Sequence, residues 1–381
     1  MKRIGLVGSG FISKGIFKLV EKTNGMTISK VLTRRKIENV DTIPEERLTN
    51  SIQEVLDSSD LVIECSGDAI HGTDVLDEVI KAKLPIITHN PELQVTTGSY
   101  FVDKGYFTEA HGDQPGCLAH LKREAELMGF NVLALVNIKG FLNLNPTPEE
   151  MSYWSKRHGI RMEQTTAFTD GSKIQIEQAL VANGLGATIV KNGLMGATVG
   201  SIKDAFFLAD LAKQFQCPVS DYVICPKAGP GVFILVESEL ADELNGYITR
   251  PLMTSSGRYY ALLRPYHLCH LEIVKAIKNA FDGLPPLLNN SLSPTISVAT
   301  IAKKRLKKGD YIKRGLGGFD VRGIAVKIKE NINHVPICLM TDCYLKRDVE
   351  PGQQLEWDDV EIPETNALTK YRKILVNQIC S

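Results

Sequence analysis

Two glycines near the N-terminus, Gly8 and Gly10, limit what this chain can fold into. They follow a short apolar strand predicted over residues 3–7 and precede residues 11–22, where apolar side chains recur with helical spacing. The first glycine permits a tight turn, and the second lets the backbone approach a pyrophosphate at the helix N-terminus. Ser13 takes the third position of the GxGxxG pattern and is small enough for helix and strand to pack closely.

This strand–turn–helix arrangement predicts a dinucleotide-binding domain of the Rossmann type. The alternative is a glycine turn in a flavodoxin-like or other α/β domain. The predicted cofactor contacts in the turn are Gly8, Ser9, Gly10, Phe11 and Ile12.

Strand and helix patterns continue to alternate over residues 1–138. Parallel strands need long crossover connections, so the alternation predicts an α/β fold with a doubly wound parallel sheet. Further strands are predicted over residues 27–33, 61–65, 85–88, 106–108 and 132–138.

The end of the second strand indicates which nicotinamide cofactor is preferred. An NAD-specific domain has an acidic residue there for the ribose hydroxyls, whereas this chain has Arg34 and Arg35. Guanidinium groups match a 2′-phosphate in charge and shape, so we expect NADP(H) over NAD(H). A basic surface loop is the alternative. The loop after the third strand, Cys65, Ser66 and Gly67, is predicted to lie beside the nicotinamide ribose.

The pattern changes after residue 138. Residues 139–266 read as an α+β substrate and dimerisation domain, and the helix predicted over 267–281 is expected to pack back on the first domain. Residues 284–293 have the proline- and asparagine-rich composition of a linker. Residues 294–381 hold a weak twofold repeat of glycine turns, which suggests a small β-clip fold.

Candidate substrate residues follow the strands, because ligands of open α/β sheets bind at the carboxyl ends of the strands. Lys173 and Glu177 are four residues apart and share a helix face, so they form either a structural ion pair or part of a site. A lysine there is a suitable proton donor to a carbonyl, or an anion clamp. The other candidates are Asn90, Glu92, Asp113, Lys139, Asp170, Arg264 and His267.

Composition excludes some partners. Lys and Arg total 44, as do Asp and Glu, and this zero net charge disfavours nucleic acid binding. No run approaches the roughly 20 apolar residues of a membrane span, and no signal-peptide pattern begins the chain. Eight cysteines without a CxxC pair are typical of reduced thiols, so a cytoplasmic protein is expected.

Four segments carry a family resemblance: GDQPG (112–116), FTDGSKIQIEQALVANGLG (168–186), GPGVF (229–233) and RPYHLCHLEI (264–273). With the N-terminal glycine turn, they resemble the homoserine-dehydrogenase-like oxidoreductases that carry a C-terminal SAF domain. That group includes the deoxyxylulose-phosphate-reductoisomerase-like enzymes, which make methylerythritol phosphate for isoprenoid biosynthesis. The resemblance implies an NADPH-dependent oxidoreductase, adds Lys227 to the candidate substrate residues and implies a homo-oligomer, at least a dimer.

Departures from the family pattern leave the substrate open. Gln114 replaces an acidic residue of the reductoisomerase-like members, and the Lys139 region reads NIKGFLN instead of a lysine-rich segment. The chain also lacks the lysine that homoserine dehydrogenases have near Asn90. Reductoisomerisation would also require a divalent metal, Mg²⁺ or Mn²⁺. The alternatives are a dehydrogenase of another sugar acid or hydroxy acid, and a non-catalytic nucleotide sensor with a sugar-binding SAF domain.

Overall fold

The structure is a computed structural model that describes residues 1–239 and 259–379. The chain divides into two compact units. The first comprises Met1–Gly116, Leu268–Leu292 and Glu364–Val376. The second comprises Cys117–His267, Ser293–Pro363 and Asn377–Ser381. Among the described residues, no helix combines the length and hydrophobicity needed to cross a membrane.

The first unit is built on a six-stranded sheet in which every pair of neighbours is parallel. The spatial order is β3-β2-β1-β4-β5-β6, which is the Rossmann order. The strands are β1 (Lys2–Val7), β2 (Met26–Leu32), β3 (Leu48–Thr49), β4 (Leu61–Glu64), β5 (Ile86–Thr88) and β6 (Phe107–Glu109).

Helices connect these strands and cover the sheet. They are α1 (Phe11–Val20), α2 (Ile52–Ser58), α3 (Ala69–Lys81) and α4 (Pro91–Thr97), and α5 (Gln114–Leu127) begins in this unit. The central strands are buried and apolar over Ile4–Val7 of β1 and Leu61–Ile63 of β4, as is typical of parallel sheets. The predicted fold class, an α/β protein with an N-terminal Rossmann sheet, is therefore confirmed.

The second unit contains a mixed five-stranded sheet in the order β11-β10-β7-β9-β8. The central strand β7 pairs parallel with β9 and antiparallel with β10. The strands are β7 (Asn131–Lys139), β8 (Ala197–Thr198), β9 (Val219–Ile224), β10 (Gly231–Glu237) and β11 (Tyr260–Arg264). The helices are α6 (Pro148–His158), α7 (Met162–Thr169), α8 (Ser172–Leu185) and α9 (Phe207–Phe215).

The C-terminal part of the second unit consists of short antiparallel strands. In one pair β12 (Ile296–Ala302) lies beside β14 (Val321–Lys327), and the other set is β13 (Tyr311–Arg314), β15 (Thr341–Leu345) and β16 (Val360–Glu361). This part is fastened to α8, because the Ala325 amide donates to the Gln175 side chain at 2.8 Å and the Asn183 side chain donates to the Ile296 carbonyl at 2.8 Å.

The domain boundaries differ from those predicted. The strand expected to be sixth in the first sheet lies in the second sheet as β7, because its partners β9 and β10 come much later in the chain. The predicted linker 284–293 is partly buried in the first unit, where the Glu109 amide donates to the Leu288 carbonyl at 2.7 Å. Helix α10 (Ile273–Phe281) belongs to the first unit, as does α11 (Asn366–Ile379) as far as Val376.

Candidate functional site

The turn between β1 and α1 requires glycine at position 8. Gly8 has φ +106°, a conformation that other residues rarely adopt. A Cβ there would also lie 3.0 Å from the Cys65 carbonyl oxygen, and the Gly8 amide donates to the Leu32 carbonyl at 2.9 Å. The turn is thus held between the ends of β2 and β4.

Gly10 leaves open space at the start of α1. Its φ of −92° is ordinary, and a Cβ there would meet no atom within 4 Å. No side chain caps α1, and its first turn has no acidic residue. An uncapped helix N-terminus with open space before it is suited to an anionic group, so the turn fits the pyrophosphate of a dinucleotide.

Side-chain contacts tie the neighbouring strand ends to this turn. Ser9 Oγ lies 2.8 Å from Thr33 Oγ1, and Ser13 Oγ lies 3.1 Å from Cys65 Sγ. Burial raises the pKa of the Cys65 thiol to about 12, so the thiol is neutral near pH 7. A neutral thiol is a weak nucleophile, and Cys65 Sγ also contacts the Val7 carbonyl at 3.2 Å.

A cavity of about 590 Å³ opens beside the end of β2. Its rim includes the consecutive cations Arg34, Arg35 and Lys36, and the first turn of α3 adds His71. Burial, and then the charge of Arg34, lower the pKa of His71. The cavity is further lined by Leu32, Thr33, Asn50, Ile52, Asp74, Val75 and Glu78.

The carboxyl ends of β4 and β5 hold a buried polar network around Glu64. Its carboxylate accepts from the Ser66 amide at 2.8 Å and from Thr88 Oγ1 at 3.0 Å. Burial raises the pKa of Glu64, and hydrogen bonds from Ser66, Asn90 and Thr88 oppose that rise. Asn90 is itself fully buried and caps α4, accepting from the Leu93 amide at 3.1 Å.

The remaining candidates of the first unit are also largely buried. Glu92 lies in the first turn of α4. Asp113 precedes α5, and its carboxylate accepts from the Gln114 amide at 3.0 Å. Substrate or metal contacts by Asn90, Glu92 and Asp113 remain predictions.

In the second unit, Lys139 and Glu177 lie together. Lys139 Nζ is 3.5 Å from Glu177 Oε2, and the Asn137 side chain donates to the same oxygen at 3.1 Å. Glu177 is completely buried, whereas the Lys139 side chain keeps 16% of its surface exposed. The buried carboxylate orients a lysine that solvent or a small molecule can reach.

Three candidate cations lie at one edge of the second sheet. Lys139 is the last residue of β7, and its carbonyl accepts from the Cys225 amide at 2.7 Å. Lys227 follows Cys225 by two residues, so it lies near the same edge. Arg264 ends β11 opposite Val232, at the start of β10, and its guanidinium lies 4.8 Å from the Tyr266 ring centre. The strands that lead to these three cations thus end at the same edge of the second sheet.

The turn between α7 and α8 holds the other candidates of this unit. Asp170 is completely buried and lies 2.6 Å from the Nζ of Lys303, which comes from the C-terminal antiparallel part. Burial raises the pKa of Asp170 and lowers that of Lys303. Lys173 is half-buried in the first turn of α8, and His267 follows β11 and is also half-buried. No observation assigns a reaction step to either residue.

Sequence reasoning missed Glu64 and Lys303, and it assigned no role to Asn137. Glu64 and Asn137 are polar residues inside otherwise apolar strands, and that interruption is a usable signal, since buried polar groups need partners. Lys303 lies in a cationic cluster that resembles ordinary solvated surface.

Part of the chain matches a known protein family. Residues 112–273 match the model of the family described as oxidoreductase DRL, catalytic domain. The match covers less than half of the chain, and it includes both the Lys139–Glu177 pair and Arg264. No curated protein matches the sequence significantly.

Solved structures with similar folds include a protein described as a probable dehydrogenase from Thermotoga maritima (13% identity, 76% of this chain and 91% of that chain, TM-score 0.44). A homoserine dehydrogenase from S. aureus is 15% identical over 87% of this chain and 95% of that chain, with a TM-score of 0.42. A UDP-N-acetylglucosamine 3-dehydrogenase from Acidithiobacillus ferrooxidans is 9% identical over 76% and 91%, with a TM-score of 0.42.

The family match and the Rossmann sheet together define the class of protein. The chain is an enzyme, an NAD(P)-dependent oxidoreductase. Within that class, residues 112–273 are similar to the oxidoreductase DRL catalytic domain.

Proposed function

We propose that this enzyme prefers NADP(H) and acts at a carbonyl or hydroxyl group of a small anionic substrate. The observation that carries the proposal is the cavity at the end of β2. Its rim has Arg34, Arg35 and Lys36 where an NAD-specific domain would have an acidic residue.

The residues of the glycine turn fit the rest of the cofactor. The uncapped N-terminus of α1 and the open space at Gly10 suit the pyrophosphate, and the loop Cys65–Gly67 would border the ribose of the nicotinamide. Once bound, the nicotinamide supplies or accepts the electron pair of the redox step.

The anionic character of the substrate follows from the cationic edge of the second sheet. Lys139, Lys227 and Arg264 gather at the ends of neighbouring strands. Positive charge at one edge raises the local concentration of an anion, and a guanidinium can hold a carboxylate or phosphate with two hydrogen bonds. An unmodified sugar has only uncharged hydroxyls, so these cations would add little to its binding affinity.

Lysine is the proposed proton donor to the oxygen of the substrate carbonyl. Lys139 Nζ lies 3.5 Å from the buried Glu177 carboxylate, which orients the lysine side chain. Lys173 begins α8 one turn before Glu177 and is the second candidate. Proton transfer from a positioned side chain is worth about 10²–10⁴ in rate.

Two substrate classes follow from this proposal. One is deoxyxylulose phosphate, which the enzyme would isomerise and reduce to methylerythritol phosphate with Mg²⁺ or Mn²⁺ present. The other is a different sugar acid or hydroxy acid, oxidised or reduced without isomerisation. The sequence motifs resemble those of dehydrogenases, which supports both classes. We propose a homo-oligomer in either case.

The test is NADPH oxidation by the purified full-length enzyme, with NADH in parallel. Deoxyxylulose phosphate with Mn²⁺ and a panel of keto acids and sugar acids would be offered, each with and without EDTA. We expect turnover with NADPH on at least one anionic substrate. Turnover that is equal with NADH, or that is confined to uncharged substrates, would contradict the proposal.

Variants separate the proposed roles. Lys139→Met should lower kcat by about 10²-fold or more, whereas Lys227→Met should mainly raise KM. Lys156→Met, on the exposed face of α6, is the matched control and should change neither constant.

A further inference from the structure

The ion pair between Arg34 and Asp68 joins two segments of the proposed cofactor site. Arg34 follows β2, and Asp68 lies at the start of α3, after the loop that ends β4. The Arg34 guanidinium nitrogen is 2.9 Å from Asp68 Oδ2. One of the cations that we assign to the 2′-phosphate is therefore already partnered by a carboxylate of the protein.

The two carboxylate oxygens of Asp68 contact different groups. Oδ1 accepts from the amides of Ile70 and His71, both at 3.1 Å, and so caps α3. Oδ2 is the oxygen that contacts Arg34. The cap fixes the carboxylate without help from Arg34, so Asp68 stays in place when Arg34 turns towards a ligand.

Buried groups also hold the backbone at Asp68. The Asn90 side chain donates to the Asp68 carbonyl at 3.4 Å, and the Ser66 amide donates to the buried Glu64 carboxylate at 2.8 Å. Asp68 is thus a fixed negative charge next to a largely exposed positive one, since the Arg34 side chain is 56% exposed.

Arg35 and Lys36, the cations next to Arg34, differ from it in their contacts. Within the described residues, Arg35 and Lys36 form no ion pair, although both line the same cavity as Arg34. Of the three cations of this rim, Arg34 alone is paired with a carboxylate in the part of the chain that the structure describes.

We propose that Asp68 sets the strength of the cofactor preference by competing with the 2′-phosphate for Arg34. This inference rests on the proposed NADP(H) preference and adds a residue that opposes it. A phosphate that takes Arg34 from Asp68 leaves two anions near one cation, which lowers the gain from the second negative group. NADH has no 2′-phosphate and leaves the Arg34–Asp68 pair intact.

Asp68→Asn isolates this effect, because asparagine caps a helix about as well as aspartate but has no charge. We expect the variant to bind NADPH about 2- to 5-fold more tightly, the range typical of a solvent-exposed ion pair. NADH affinity should change by less than about 2-fold, and added salt should shrink the difference.

The experiment measures NADPH and NADH dissociation constants for the full-length enzyme by calorimetry. The proteins are wild type, D68N, R34M and the double variant R34M/D68N. The matched control is D60N, which removes another arginine-paired carboxylate, since Asp60 lies 2.7 Å from Arg3 at the opposite end of the same sheet.

The inference predicts that D68N raises the ratio of NADPH to NADH affinity, and that the gain disappears in the R34M background. D60N should leave the ratio unchanged. An unchanged or lower ratio in D68N, or an equal gain without Arg34, would overturn the role of Asp68. A wild type that prefers NADH, with the D68N gain still present, would instead reject the proposed cofactor preference and retain this inference.

Discussion

Lys303 Nζ lies 2.6 Å from Asp170 Oδ2, and both side chains are almost completely buried. Lys303 also donates to the Gly318 carbonyl at 2.8 Å. The pair fastens the C-terminal antiparallel part to the turn that precedes Lys173 and Glu177. The shape of this candidate catalytic turn therefore depends on residues that come much later in the chain.

Removing one partner of this pair should destabilise the protein strongly. K303M leaves the Asp170 carboxyl buried without its cation, and such losses cost about 3–5 kcal/mol of unfolding free energy. The double variant K303M/D170N should lose less than the sum of the single variants. Thermal unfolding measures both.

The neighbouring exposed pair provides the control. Lys304 lies 2.6 Å from Asp320, with its side chain 59% exposed. K304M should cost less than about 1 kcal/mol. Equal losses for K303M and K304M would show that the buried pair has no special role.

The two glycines of the N-terminal turn should respond differently to alanine. G10A adds a methyl group to open space at an ordinary φ, so folding should be unchanged while NADPH affinity falls by about 10-fold or more. G8A forces alanine into φ +106° beside the Cys65 carbonyl, and unfolding free energy should fall by about 1–3 kcal/mol.

Gly140→Ala is the control for G10A, because its Cβ also meets no atom within 4 Å. It should change neither the melting temperature nor NADPH affinity. If G10A binds NADPH as well as G140A does, the space at the start of α1 is not the pyrophosphate position.

His334 should make stability fall in mild acid. It is completely buried, with Nδ1 2.5 Å from the Asn331 carbonyl and Nε2 2.7 Å from Ser297 Oγ. Burial lowers its pKa from 6.5 to about 4. Above pH 6.5 the imidazole is neutral in both states, and between 6.5 and 4 only the unfolded state gains the proton.

Stability is therefore lost as the pH falls through this window, by up to about 3 kcal/mol. Chemical denaturation of wild type and H334Q at pH 7.5 and 4.5 measures the effect. H334Q should lose less stability than wild type over the same interval. Parallel losses in the two proteins would mean that His334 does not cause the acid sensitivity.

Gly15 should tolerate alanine only when His270 is absent. A Cβ on Gly15 would lie 2.2 Å from the His270 ring, which also meets the Phe11 ring edge-on at 5.8 Å between centres. G15A should cost about 1–3 kcal/mol, and H270A should recover most of that loss in the same chain. Equal stability of G15A and G15A/H270A would contradict this packing.

Local patterns predicted the first sheet well. The glycine turn, β1 and α1 are contiguous in sequence, so their periodicity and spacing were enough. The two-residue strand β3 is too short to produce a pattern. Asn90 and Pro91 begin α4, as its cap and its first-turn proline, and no helix was predicted there.

Pairings between segments distant in the chain could not be predicted from local sequence patterns. Alternation predicted the strand 132–138 correctly, but no local pattern tells which sheet a strand joins. The pairing of Lys139 with Glu177, and that of Lys303 with Asp170, depend on how distant segments pack. The cationic rim at Arg34 and Arg35 was predictable because it directly follows a recognisable strand.

The most direct test of the account is calorimetric titration of the full-length enzyme with NADPH and with NADH, for wild type and for R35M. Arg35 lines the cavity and forms no ion pair within the described residues, so its loss should act on the cofactor alone. The account predicts tighter binding of NADPH than of NADH by wild type, and a loss of most of that difference in R35M with NADH affinity unchanged. Equal affinities in wild type, or a preference that R35M leaves intact, would contradict it.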